Sequence, residues 1–149
     1  MRESTYTAAV RDALPAAILA IKINNPLHRG LPDNLYIGNT SKSLWIEYKY
    51  DEIPPEVVDL TNPNKYLSKL QQRTLRQLHN RGQHVAVVYA TKKRVWVREG
   101  LSWEETIYPQ RDVQGTMSRR ELVLWIEKKL LRHPETESEL HHDERDHTT

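Results

Sequence analysis

Tyr6, Val10, Ala13 and Leu14 recur at helical spacing after Glu3, and Pro15 closes the pattern, which predicts a short first helix. The run AILAIKIN, residues 17–24, is rich in isoleucine and bounded by NNP, and predicts a mostly buried strand. After the loop NPLHRGLPD, the runs NLYIG and SLWIEYKY flank the polar connector NTSK, the pattern of a hairpin. YDEIPPEVVDLTNPN carries three prolines and reads as a linker over the surface. A second helical stripe, Leu67, Leu70, Leu75 and Leu78, spans residues 65–81 and stops at Gly82. QHVAVVYA and KRVWVRE follow as two strands joined by TKK. The last helix is predicted from Ser118, which with Glu121 forms a capping box, and it buries Leu122, Trp125, Ile126 and Leu130 before Pro134 ends it. The order α-β-β-β-α-β-β-α packs most naturally as one central mixed sheet flanked by helices, an α/β (α+β) fold.

Composition narrows the function classes. At 149 residues, 38% apolar, the chain fits one domain, and no apolar run approaches the roughly 20 residues that span a bilayer. The first dozen residues are polar and periodic rather than signal-like, so a cytoplasmic protein is expected. Cysteine is absent, which excludes disulfides, thiol catalysis and cysteine-held metals. No glycine-rich phosphate loop is present, which argues against a nucleotide cofactor. Residues 134–149 hold six acids and one Arg, and their composition predicts a disordered acidic tail; its HHDERDH string lacks the helical spacing of a zinc motif. Residues 1–133 keep 21 basic and 14 acidic side chains, a surplus compatible with nucleic acid.

Candidate chemistry gathers around the hairpin. Strand alternation puts Leu44, Ile46 and Tyr48 on one face of SLWIEYK and Trp45, Glu47 and Lys49 on the other. A turn centred on NTSK sets Asn34 opposite Glu47 and Asp33 opposite Tyr48, give or take a residue, so Asp33 comes within reach of Glu47. Two carboxylates so placed repel unless a cation sits between them, and oxygen ligands select a hard ion such as Mg²⁺ or Mn²⁺. The plainer alternative is that Asp33 caps a turn while Glu47 and Lys49 form an exposed ladder on an edge strand. Gln71, four residues after Leu67 and four before Leu75, lies on the helical stripe and turns an amide inward; Lys22 interrupts an apolar strand and points to solvent, an acid or an anion.

The strings GLPD (30–33), WIEYK (45–49) and LSKLQ (67–71), followed by LHNRGQHVAVV, resemble those of the PD-(D/E)XK nucleases and, within them, the virus-type replication-repair (VRR-NUC) branch. The resemblance covers residues 3–90. It implies a restriction-endonuclease-like fold and an Mg²⁺-dependent endonuclease, with Mn²⁺ as a substitute, that hydrolyses phosphodiester bonds in DNA. By it, Asp33, Glu47 and the Tyr48 carbonyl bind the metal, with Glu3 as the acid of the first helix. Lys49 readies the attacking water, and Gln71 supports the site. It also implies branched DNA as substrate, as for single-domain phage and bacterial Holliday junction resolvases, and a homodimer. Lys22, His28, Arg29, Arg73, Arg119 and Arg120 are the candidate DNA contacts, with Lys128 and Lys129 beside them. Residues 99–133 read as a helical addition that completes the fold, forms a dimer or meets DNA. The rival expectations are a monomeric nicking or single-strand-selective nuclease, and a DNA-binding module without chemistry.

Overall fold

The computed structural model describes residues 1–24 and 29–131. The elements follow the predicted order: α1 (Glu3–Ala13), β1 (Leu19–Lys22), β2 (Asn34–Ile37), β3 (Ser43–Tyr50), α2 (Lys69–Asn80), β4 (Val85–Ala90), β5 (Val95–Glu99) and α3 (Arg119–Leu130), with a 3-10 turn at Ser102–Glu104. The strands form one mixed sheet in the order β1-β2-β3-β4-β5; β3 and β4 run parallel and the other neighbours antiparallel. A parallel pair cannot be closed by a tight turn, so the chain crosses from β3 to β4 through α2.

Each face of the sheet carries its own core. On one face Leu44, Ile46 and Tyr48 pack with Tyr6 and Val10 of α1 and with Leu122, Ile126 and Leu130 of α3. On the other, Val85, Val87 and Tyr89 pack with Leu75 of α2, Trp103 and Ile107. The alternation read from β3 is therefore the one the fold uses, and β4, covered on both faces, is buried along its whole length. α3 closes the first core with Leu122, Val123, Ile126 and Leu130. Both sequence signals for α3 hold: Ser118 Oγ accepts from Glu121 N at 3.1 Å, and Glu121 returns the bond.

Five expectations are corrected. β1 is an edge strand, with Leu19 58% exposed, because only β2 pairs with it. The proline-rich stretch is not a surface linker throughout: Val58 and Leu60 are fully buried, and Val58 bridges to Ile107. α2 begins at Lys69 rather than near residue 65, because Ser68 and Gln71 form a capping box that fixes the first turn there. On α3, Val123 takes the inward place given to Trp125, which is only partly buried. The hairpin register is one residue off the turn-symmetry estimate: Asn34 pairs with Ile46, not Glu47.

Gly38, just after β2, touches the end of α3: a Cβ there would strike the Leu130 carbonyl, while Thr40 Oγ1 donates to that same oxygen at 3.1 Å. The obstacle is backbone. Gly38→Ala is therefore expected to lower stability by about 2–3 kcal/mol, the cost of an overpacked contact, read as a lower thermal midpoint by circular dichroism. Among the described residues no helix is long and apolar enough to cross a membrane.

Candidate metal centre

β3 outruns its hairpin partner. The last β2–β3 pair at this end is Asn34 with Ile46, so residues 47–50 have β4 on one side and, among the described residues, no strand on the other. The start of α1 and the loop before β2 converge on that open edge, which lets Glu3 meet Glu47 although α1 packs on the opposite face. Carboxylate oxygens of Glu3, Asp33 and Glu47 all lie within 4.8 Å of one another.

Each acid is held by local structure. The loop bearing Asp33 lies on α2, where a Cβ at Gly30 would come 2.5 Å from Thr74 Oγ1 and 2.7 Å from Leu70 Cγ, so glycine permits the approach. The Asp33 carbonyl accepts from Ile23 N at 2.7 Å, and Asp33 N donates to Glu47 Oε2 at 3.0 Å. The one-residue register correction brings Asp33 closer to Glu47 than turn symmetry suggested. Glu47 Oε1 faces two donors: Gln71 Nε2 at 3.1 Å and Lys49 Nζ at 3.3 Å. Glu47 is 1% exposed and Lys49 15%, so this is a buried pair rather than an edge-strand ladder.

Gln71 works differently from its sequence reading. It is the third residue of α2, half-buried, and its Oε1 accepts from Ser68 N at 3.0 Å while its Nε2 reaches Glu47. The buried inward amide of the helix is Gln72, which bonds the carbonyls of Thr61 and Leu67. The Ser68-x-x-Gln71 string carried the capping signal. Tyr48 turns its side chain to the other face, where its hydroxyl lies 2.7 Å from that of Tyr36, and its main chain passes between Glu47 and Lys49.

Electrostatics mark Glu47 as the strained member. Burial, then the negative charge of Asp33, push its carboxyl up to about 8, against the lowering pull of Lys49. Burial also raises Glu3, with Asp33 adding to it and Lys49 opposing. Three clustered oxygen-donor acids, one of them deeply buried, suit a hard divalent cation, and the Glu47 oxygens retain accepting capacity beyond their present bonds. The residues therefore fit Mg²⁺ or Mn²⁺.

A pH dependence follows. A carboxyl raised from 4.5 to about 8 contributes stability below its unfolded value and loses it as pH rises through the folded one. The metal-free protein is expected to melt lower at about pH 8.5 than at about pH 5.5. Mn²⁺ needs the ionised form, so the melting increment it gives is expected to be larger at the higher pH. Differential scanning fluorimetry checks both; equal increments at the two pH values would contradict the burial argument.

The other predicted residues are dispersed. Lys22 is exposed and lines a cleft of about 280 Å³ with Glu3, Asp33 and Arg11. Asn34 shares that cleft, 3% exposed, with its Nδ2 unpartnered, and nothing but its place after Asp33 could have flagged it. Arg29 and Arg73 line a separate groove between the Gly30 loop and α2. Arg119 and Arg120 lie at the start of α3 and line a groove whose lining includes none of Glu3, Asp33 and Glu47; Lys129 is engaged by Glu99 at 2.8 Å. His28 and the acidic tail lie outside the described residues.

No family model matches the chain, and no curated protein matches it. Among solved structures it is similar to Hjc, a Holliday junction resolvase from the archaeal hyperthermophile Archaeoglobus fulgidus, at 18% identity over 63% of this chain and 72% of that one, with a TM-score of 0.41. The case for chemistry lies in this chain's own side chains.

Proposed function

We propose that the protein is a metal-dependent endodeoxyribonuclease. The observation that carries this is the meeting of Glu3, Asp33 and Glu47, from three separate elements, with the Lys49 ammonium on Glu47. The resemblance of GLPD, WIEYK and LSKLQ to PD-(D/E)XK strings points the same way.

In this reading Asp33 and Glu47 hold the ion, with Glu3 and the Tyr48 carbonyl completing its protein ligands. When bound, Mg²⁺ would polarise a phosphoryl oxygen and offset negative charge as it builds. Gln71 keeps Glu47 oriented through the α2 cap. The Lys49 ammonium orients a water for in-line attack and offsets negative charge on the phosphate; the water's oxygen bonds phosphorus as the scissile P–O bond breaks, and its proton passes through solvent to the leaving oxygen. Lys22 and Arg11 line the cleft beside Glu3 and Asp33, where a phosphate flanking the scissile one would find cations.

Branched DNA is the substrate this reading favours, with a homodimer making paired cuts. Four-way junctions, flaps, single strands and linear duplex incubated with Mg²⁺ test it, on a sample of measured mass. Paired symmetric cuts in the junction support the proposal. No cleavage of any DNA with Mg²⁺ or Mn²⁺ would remove the enzyme reading.

A further inference from the structure

A groove of about 910 Å³ lies beside the acids rather than over them, between α1, the β4–β5 turn and the start of α3. It shares elements with the acid cluster. α1 gives Glu3 to the acids and Tyr6 to the groove; β3 gives Glu47 to the acids and Tyr50 to the groove. A strand advances about 3.3 Å per residue, and duplex DNA carries a phosphate about every 3.4 Å of axis on each strand. Tyr50 stands three residues beyond Glu47, about 10 Å along the strand, and turns to the α1–α3 face, so the groove and the acids flank the same end of β3 from different sides.

Its rim is cationic. Lys92, Lys93 and Arg94 come from the turn, and Arg119 and Arg120 from the first turn of α3. All five are exposed, and none makes a salt bridge among the described residues. Two lining carboxylates oppose them, and one of these, Glu52, faces the Met1 amine at 3.4 Å. The turn itself is fixed: Thr91 Oγ1 accepts from Lys93 N at 3.3 Å and Arg94 N at 3.1 Å, and Thr91 N donates to the Arg94 carbonyl at 2.9 Å. Tyr6 and Tyr50 both line the groove, and the buried hydroxyl of each has no hydrogen-bond partner. A fixed set of exposed, unpaired cations matches an oxyanion-bearing polymer better than an apolar or cationic partner.

We propose that this groove is a backbone-binding site for the DNA arm that leads away from the carboxylates, with residues 92–94 as its principal phosphate contacts. The inference rests on the nuclease reading and names the surface that would hold its substrate. Because the contacts are to phosphate, the site sets affinity and orientation of the arm, with no base preference.

Binding of a fluorescein-labelled four-way DNA junction to the full chain, by anisotropy in Ca²⁺ across a salt series, tests it. K92Q/K93Q/R94Q is expected to bind about tenfold or more weakly at moderate salt. Its log–log salt slope is expected to be shallower by about 3, and that of R119Q/R120Q by about 2. K92R/K93R, which keeps the charge, is expected to bind as wild type does. The altered side chains are exposed, and matching melting curves verify the fold; were the triple variant to misfold, the α3 pair carries the test. Wild-type affinity and slope in both neutralised variants, alongside Glu47-dependent cleavage, would overturn the groove while leaving the nuclease reading intact. Wild-type protein that neither binds nor cuts DNA would overturn both.

Discussion

Asp33→Asn and Glu47→Gln are each expected to reduce Mg²⁺-dependent DNA cleavage by about 10³-fold or more while leaving junction binding in Ca²⁺ within a few-fold of wild type. Loss of a residue that merely orients a metal ligand already costs about 10–100-fold; removing a ligand's charge is expected to cost more. Binding survives because the proposed phosphate contacts are cationic and lie elsewhere. The Gln replacement keeps the volume of Glu47 and one accepting oxygen, which can serve Asp33 N or the Gln71 and Lys49 donors but not both sides. Glu47→Gln removes the ionisation that costs the metal-free fold stability as pH rises, so its melting temperature is expected to change less than that of wild type between about pH 5.5 and pH 8.5 without metal. A variant that loses cleavage without losing stability separates a chemical role from a structural one. Single-turnover cleavage rates, anisotropy and melting curves together read it out.

Lys49→Ala is expected to lower the single-turnover rate by about 10²-fold or more, the usual range for removing one positioned charge-stabilising donor, with a smaller effect on DNA affinity. Its ammonium lies 3.3 Å from Glu47 Oε1 and pulls that carboxyl down against burial and Asp33. Without it, Glu47 ionises at still higher pH. The rising limb of the pH–rate profile in Lys49→Ala is therefore expected to move upward, with residual activity recovering most at alkaline pH. A lower rate with an unmoved profile would mean that Lys49 acts on substrate alone and not through Glu47.

The hydrophobic periods carried most of the fold, because each element in this chain is bounded by a strong local signal. Pro15 stops α1, Gly82 follows α2, and Ser118 with Glu121 starts α3. The failures arose where tertiary context decides. Leu67 fits the helical stripe of α2, yet it is buried ahead of a helix that the Ser68 cap starts two residues later. The isoleucines of β1 suggest burial, but among the described residues the strand sits at an edge, paired with β2 on one side. Val58 and Leu60 hide in a proline-rich stretch whose composition says surface. At the site, alternation alone put Glu47 beside Lys49, and turn geometry brought Asp33 near them. Glu3 was visible only by resemblance, since no local pattern tells that α1 starts at the unpaired end of β3. Lys92, Lys93 and Arg94 passed unnoticed because KKR in a hairpin turn reads as ordinary solvation until α3 is seen to bring Arg119 and Arg120 to the same groove.

The most direct measurement is calorimetric titration of Mn²⁺ into the wild-type chain and Glu47→Gln near neutral pH, in two buffers of different ionisation enthalpy. The account predicts saturable binding with release of protons by wild type, because the buried carboxyl must ionise to accept the ion, and loss of that binding in the variant. Mn²⁺ binding of equal strength in both, with no proton released, would contradict it.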